Sequence, residues 1–477
     1  MKKKLISLAV AAAMVAPAAA MAEAIIYGKL HVSIDYADVK NAAGVPTFNP
    51  VTGRQTAAGT DFEGWGVNRN GNGGSGWGLV GPVANPNVPF AGSGASGGYM
   101  PGAGPSNRIG IKGSEDIGNG LKAIYQVELG IAFGASDANI PSGNNNSFSV
   151  RNSFVGLAGS FGTVLVGRHD TPLKISTGKL DMFADTMADY NGTVGFNDLR
   201  VDNAIAYISP SFSGFQFMGA LVAPGGATAG EGLNANSDQL NGAWSLAGIY
   251  NNGPYYASIA YESLNSEMFM DTGASNAVTA GINEPAVPAT ANLATGVVTN
   301  PVAAKSFCTN PAGNLVAGNS CSSVSSDYNK WRFGLGILDW NGFSLSAIYE
   351  NQDNIPGGQT YSQVVGGVAV PNNIESQELW QIQAGYAFGN NQIKAMYGEA
   401  DRDYGFNSNL LPAAAVGTIN QVKAWDGDRS TWAIAFDHNF SKRTKAYVMY
   451  TDVEDDLENY VAGSEWSGFS MGMIHSF

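Results

Sequence analysis

Beyond its first 22 residues the chain has no run of 18 apolar residues, so no segment of it is expected to cross a membrane as a helix. Cysteine is nearly absent. Cys308 and Cys321 are the only two, both in one polar stretch, which excludes a disulfide-dense scaffold and leaves a metal site short of ligands. Basic residues are few, 25 Lys and Arg against 39 Asp and Glu, for a net charge of -14. A chain this acidic is a poor binder of nucleic acid, because phosphates demand a positive surface. There are four histidines, and His169 beside Asp170 is the one suggestive pair, at the root of a long loop. With no Ser-rich motif near them, a hydrolytic triad is not expected and neither is an enzyme. Blocks of Ala, Leu, Glu and Lys that would build long helices are missing too.

What is present is 62 Gly with many Asn, Ser and Tyr, a mixture that suits strands joined by loops. Lys2, Lys3 and Lys4 precede an apolar run from Leu5 to Ala20, and Ala20-Met21-Ala22 reads as a cleavage site. Residues 1–22 are therefore expected to be a secretory signal peptide, with the mature chain beginning at Glu23. Loss of its three lysines takes the net charge from -14 to -17. An exported chain meets an oxidising compartment, so a Cys308–Cys321 disulfide closing a small loop is expected.

The far end is a strand. Phe469, Met471, Met473 and the terminal Phe477 share one face, and Ser470, Gly472 and Ser476 share the other. An open strand edge of this kind invites aggregation, and closing the sheet into a membrane barrel removes the edge. Sixteen segments carry strand patterning. They are Ile25–Tyr36, Asn107–Gly113, Leu121–Phe133, Val150–Gly159, Thr163–His169, Arg200–Ser209, Phe212–Val222, Leu240–Tyr250, Tyr255–Leu264, Asn329–Trp340, Phe343–Asn351, Glu378–Phe388, Gln392–Arg402, Ser430–Phe440, Thr444–Glu454 and Trp466–Phe477. A strand of about 10 residues, tilted near 45°, spans about 24 Å, which matches the apolar band of an outer-membrane barrel. Ile26, Leu30, Val32, Ile34 and Tyr36 oppose Lys29, His31, Ser33 and Asp35, the apolar-out and polar-in alternation of a wet lumen.

Connections alternate between short turns such as 160–162, 341–342 and 389–391 and long loops at 37–106, 170–199, 265–328, 352–377 and 403–429. In outer-membrane barrels the short turns face the periplasm and the long loops face outside. The expected fold is an all-β, 16-stranded antiparallel transmembrane barrel in one domain, residues 23–477. Several motifs carry no weight. Gly76-Trp77-Gly78-Leu79-Val80-Gly81 fits a dinucleotide fingerprint but lies in a loop without a βαβ context. The acidic cluster Asp452, Glu454, Asp455, Asp456 and Glu458 reads first as a solvated loop tip, with Ca²⁺ or a lipopolysaccharide bridge as the second reading. No metal or other cofactor is expected.

Asn107-Arg108-Ile109-Gly110-Ile111-Lys112-Gly113-Ser114-Glu115-Asp116, followed by Gly118-Asn119-Gly120-Leu121-Lys122-Ala123-Ile124-Tyr125-Gln126, resembles the Gram-negative general porins. So do Arg151-Asn152-Ser153-Phe154-Val155-Gly156-Leu157, Val166-Gly167-Arg168 and the C-terminal Gly472-Met473-Ile474-His475-Ser476-Phe477. The resemblance implies a homotrimer in the bacterial outer membrane, among lipid and lipopolysaccharide, with the third long loop (170–199) folded into each barrel. It also implies a water-filled channel for passive diffusion of ions and small hydrophilic solutes. The alternatives are a substrate-specific channel and an adhesive surface barrel. Residue by residue, the constriction's basic wall matches Lys29, Arg108, Arg151 and Arg200, and its acids match Asp181 and Asp185, with Asp189 and Asp198 as additions. The face of Arg168, near the loop root, is left open. Opposite charges about 10 Å apart interact by roughly 0.4 kcal/mol in bulk water and about 1.7 at an effective dielectric of 20, so their field matters where the loop displaces water. With acids set against the wall in a strongly acidic chain, the expectation is weak selectivity leaning toward cations, and Asp181→Asn is expected to lower the cation-to-anion ratio.

Overall fold

The computed structural model describes residues 23–43, 47–48, 55–57, 60–68, 107–131, 148–223, 240–265, 279–284, 290–292, 297–299, 305–309, 315–317, 327–355, 361–365, 368–406, 427–456 and 465–477. The expected signal peptide at 1–22 and the expected disulfide, which requires Cys321, lie outside the described residues.

Sixteen strands close a single antiparallel barrel. They are β1 (Glu23–Ala43), β2 (Arg108–Gly118), β3 (Leu121–Ile131), β4 (Phe148–Gly159), β5 (Gly162–Asp170), β6 (Arg200–Ile208), β7 (Phe215–Val222), β8 (Ala243–Asn252), β9 (Tyr255–Leu264), β10 (Tyr328–Trp340), β11 (Phe343–Asp353), β12 (Val368–Phe388), β13 (Asn391–Phe406), β14 (Arg429–Asn439), β15 (Thr444–Asp455) and β16 (Trp466–Ser476). Each of the sixteen expected segments lies at one of these strands, and several strands run further toward the long loops. Thr60–Asn68 pairs with β1 from Ser33 to Ala43, along the edge that β2 leaves free, and Tyr361–Val365 pairs with the first residues of β12 in a hairpin that extends it beyond the barrel.

Closure depends on the two chain ends. The first half of β1 pairs with β2, Lys29↔Arg108 to Glu23↔Ser114, and the second half pairs with β16, Lys29↔Ser476 to Val39↔Trp466. The terminal residue completes the seam: Gly28 N–H donates to Phe477 O at 3.0 Å and Phe477 N–H to Gly28 O at 3.1 Å. The first and last strands of the barrel thus pair with each other rather than leaving two free edges.

The side-chain alternation sorts as the sequence implies. Ile26, Ile34, Val155, Leu335, Ile434 and Met473 are exposed on the outward face. His31, Ser33, Asp35, Arg332, Glu350 and Gln383 are buried on the inward one. A soluble protein would bury the first set; here the apolar surface points away from the core, which suits hydrocarbon as solvent.

Candidate pore constriction

The chain leaves β5 at Asp170 and turns inward rather than outward. Thr171 caps the short helix α1 (Pro172–Thr177), its side chain accepting from Lys174 N–H, and Pro172 supplies a preset φ at the first turn. From there the loop crosses the inner wall strand by strand. Leu173 N–H donates to Ser245 Oγ on β8, Tyr256 Oη on β9 donates to Ser176 O, and Ser346 Oγ on β11 donates to Leu180 O. Lys394 Nζ on β13 donates to Met182 O at 2.6 Å. The loop returns through a second short helix, α2 (Tyr190–Thr193), and Arg429 on β14 donates to Gly192 O.

Apolar side chains fill the space between loop and wall. Leu173, Leu180, Phe183, Met187, Tyr190, Val194 and Phe196 form one buried cluster with wall residues such as Ile348, Leu379, Met396 and Met449. The fit depends on glycine in β10: a Cβ at Gly334 or at Gly336 would stand 2.6 Å from a methyl of Leu180. Burial on this scale, at roughly 1.5–3 kcal/mol per large side chain, makes the inward loop part of the core.

Ion pairs fasten the same wall. Arg332, fully buried on β10, meets Asp198 at 2.5 Å from Nη1 and Glu350 at 2.5 Å from Nε, and also donates to Thr177 Oγ1. Lys330 pairs with Glu262 at 2.6 Å and donates to Asn197 O. Lys394 pairs with Asp437 at 3.1 Å. Of these groups only Asp198 entered the sequence reading of the site. The signal of the cations was there in β10, where Lys330 and Arg332 alternate with Trp331 and Phe333.

The opposite wall, β1 to β6, is left uncovered and carries the four expected cations. Lys29 Nζ lies 2.7 Å from Asp185 Oδ2 at the loop tip, and Arg108 Nη1 lies 3.7 Å from the same oxygen. Arg151 Nε donates to Glu128 Oε1 at 2.7 Å, and Tyr27 Oη donates to Glu128 Oε2 at 2.9 Å. Arg200 pairs with Asp170 at 2.9 Å and donates to Asn152 Oδ1; Lys174 on the loop shares Asp170 at 3.2 Å. Lys29, Arg108, Arg151 and Arg200 therefore form one run with Asp185, Glu128 and Asp170 set among them.

Three features differ from the sequence expectation. Asp185 does not stand across open lumen from the basic wall; it bonds to it. Asp181 is turned to β12, accepting from Gln383 Nε2 and from Phe183 N–H, each at 2.9 Å. Asp189 is buried inside the loop as the cap of α2, accepting from Asn191 N–H at 2.9 Å and from Asp185 N–H at 2.8 Å. Neither Asp181 nor Asp189 pairs with any of the four wall cations. The reason is local: Asp and Asn favour caps and tight turns, and a loop that must double back uses its acids for its own backbone first. Asp198, the other added acid, belongs to the Arg332 cluster.

The surroundings set the charge states of the loop acids. Burial would raise the Asp185 carboxyl, but Lys29 and then Arg108 outweigh it and hold it down at about 2. Burial, and then the Asp185 carboxylate, push Asp189 up to about 6. Asp181 is also raised, first by burial and then by Asp189. Asp198 is lowered because Arg332 overcomes the effect of burial. The basic wall thus faces an acid that stays ionised, while the buried Asp181 and Asp189 carry the proton more readily.

Comparison with known proteins points the same way. A family model described as Gram-negative porin matches residues 9–457. The chain is 33% identical over 205 residues to the major outer membrane protein P.IB of Neisseria meningitidis serogroup B, a match covering 36% of this chain and 56% of that protein. It is 41% identical over 112 residues to the P.IB protein of serogroup A, covering 23% of this chain and 30% of that one. The chain thus spans about half, or less, of the length of these curated relatives. Among solved structures, the anion-selective porin from Comamonas acidovorans superposes with a TM-score of 0.51 at 17% identity, covering 96% of this chain and 100% of that one. The outer membrane channel DcaP of Acinetobacter baumannii superposes with a TM-score of 0.51 at 13% identity, covering 96% and 97%. At these identities the two structures support the barrel fold alone.

Proposed function

The chain belongs to the Gram-negative porin family, and from that premise we propose that it is a homotrimeric outer-membrane channel for passive diffusion of ions and small hydrophilic solutes. The observation that carries the reading is the inward loop: residues 171–199 are fastened to β8–β16 and leave the cation-bearing wall of β1–β6 uncovered. Such a channel needs no catalyst, only a wet lumen, a narrowing and a charge pattern at that narrowing. Lys29, Arg108, Arg151 and Arg200 would line the narrowing with Asp185 at its rim. Residues 1–22 would be removed on export, and a Cys308–Cys321 disulfide would form outside the cell. Lipid and lipopolysaccharide would surround the barrel.

The local charge balance revises the expected selectivity. With Asp181 and Asp189 engaged elsewhere, the described ion pairs on this side hold five cations, Lys29, Arg108, Arg151, Lys174 and Arg200, against three acids, Glu128, Asp170 and Asp185. We therefore assign the narrowing a weak preference for anions, against the net negative charge of the whole chain. Conductance of the purified protein in a planar bilayer under a salt gradient tests both statements. Steps that close in threes, with a reversal potential on the anion side, are expected. Folded protein that carries no current would overturn the channel, and a cation-side potential would overturn the charge balance.

A further inference from the structure

The inward face is not polar throughout. Apolar wall residues between β8 and β16, such as Ile348 and Met449, pack beneath the inward loop. A smaller apolar cluster is centred on β4–β6, and no residue of the loop belongs to it. Leu165 on β5, Ala206 on β6 and Ala220 on β7 are buried together, with Phe154 on β4 and Ile208 on β6 packed against them. Val155 and Leu157 are exposed on the outward face, so Phe154 between strand neighbours of that parity points inward. The unbroken register Phe154↔Gly167 and Val155↔Val166 agrees. The Phe154 ring meets that of His169 edge to face, with centroids 5.2 Å apart. His169 Nδ1 donates to Asp170 O at 2.7 Å, which fixes the imidazole. Both rings stay partly exposed. Gly156, next along the same face, and Gly167, across from Phe154, bring no side chain to cover them.

Cations begin next to these rings. Arg151 and Asn152 precede Phe154 on β4, and Asp170 follows His169 on β5. Arg200 Nε donates to Asn152 Oδ1 at 2.8 Å and Arg200 Nη2 meets Asp170 at 2.9 Å, which leaves Nη1 without a partner among the described residues. Arg151 meets Glu128 through Nε, at 2.7 Å, and its two terminal nitrogens have no partner among the described residues. Guanidinium groups with spare N–H donors take a carboxylate in a fork. A partly exposed pair of rings takes a third ring, stacked or edge on. Two residues of strand, from Asn152 to Phe154, separate the cations from the rings by about 7 Å, the length of a benzoate ion.

We propose that this stretch of the uncovered wall is a subsite for small carboxylates that carry an aromatic ring. The carboxylate lies on Arg200 and Arg151, and the ring lies on Phe154 and His169. This rests on the channel of the proposed function and names a class of solute that its basic wall selects. Chloride and acetate engage the cations alone. The ring contact is expected to raise occupancy by about two- to tenfold over acetate, the range of a single aromatic pair. Such a site speeds passage at low concentration and saturates at high concentration, because a solute must bind well enough to enter and weakly enough to leave.

Purified protein in a planar bilayer, with sodium benzoate on one side and sodium acetate on the other at pH 7, tests it. A wet pore without the subsite passes the smaller acetate better. The reversal potential is expected to show benzoate as the more permeant ion, and benzoate conductance is expected to level off at concentrations where acetate conductance still rises. Phe154→Ser is expected to bring the benzoate-to-acetate permeability ratio below one. Phe154→Leu keeps the packing on Leu165 should serine disturb folding, and is expected to lower the ratio as well. A parent ratio below one, or a ratio that neither substitution moves, would overturn the subsite while leaving the channel standing. Folded protein that carries no chloride current would overturn both.

Discussion

The two halves of the inner wall use the same residue types for opposite ends. Under the loop, Lys330, Arg332 and Lys394 are buried and each is matched to acids at 2.5–3.1 Å. Across from them, Lys29, Arg108, Arg151 and Arg200 keep side-chain exposures of 12–27%. The buried cations hold the loop down, and water has no access to them. The others stay partly exposed on the side the loop leaves open, where under the proposed function their charge would act on a solute. On that reading a lumen-facing cation contributes to selectivity only where the loop leaves it uncovered.

The comparison breaks most visibly at Arg332. Arg332→Met leaves Asp198 and Glu350 buried without their partner, and removal of one member of such a cluster typically costs about 3–5 kcal/mol. A large fall in the thermal midpoint and a spread of conductance levels are expected. A single sharp conductance at the native midpoint would show that the apolar packing alone holds the loop. On the open side, Asp185→Asn should leave folding intact and move the reversal potential further toward anions, since it removes the one loop acid that faces the wall. A reversal potential equal to the parent's would mean that solutes do not pass Asp185.

Protons sharpen the contrast. Asp189, pushed up to about 6 from an ordinary 3.8, binds its proton more tightly in the folded loop than in the unfolded chain. Its burial therefore weakens the loop above about pH 6, and that loss is relieved as pH falls from about 6 toward 4. Asp185, held at about 2, works the other way: its stabilisation is present above about pH 4 and fades as pH falls toward 2. Hydrogen exchange of loop amides should be slowest near pH 4–5 once corrected for intrinsic rates. Asp189→Asn keeps the cap and should remove the slope above that window; a slope that persists would assign it to another group. The smallest effect is expected at Asp181→Asn. Because Asp181 faces Gln383 and not the cations, the reversal potential should stay within error of the parent, and a shift as large as that of Asp185→Asn would contradict its place in the loop.

Much of this was legible in one dimension. Period-two alternation named the two faces of β1 and of β16, because a pleat leaves side chains no third choice. The resemblance pointed to Lys29 and Arg108, and parity agreed by setting both on the inward face. The loop acids had no such support, because parity has no meaning in a segment that turns every few residues. Asp181, Asp185 and Asp189 recur every four residues, yet one bonds to β12, one to the basic wall and one to its own helix. Arg168 escaped for a related reason: beside an irregular strand end, only its pairing with Ser153 fixes its face.

The sequence by itself determined the strands, their faces, the closing terminal Phe477 and the basic residues available to the lumen, because these depend on local periodicity and on the solvent each face must meet. The tertiary structure alone decided which of those charges stay in contact with water and which acids fasten the loop. Those are matters of long-range register and of one loop's path. The partners of the wall cations are supplied by residues tens to hundreds of positions away.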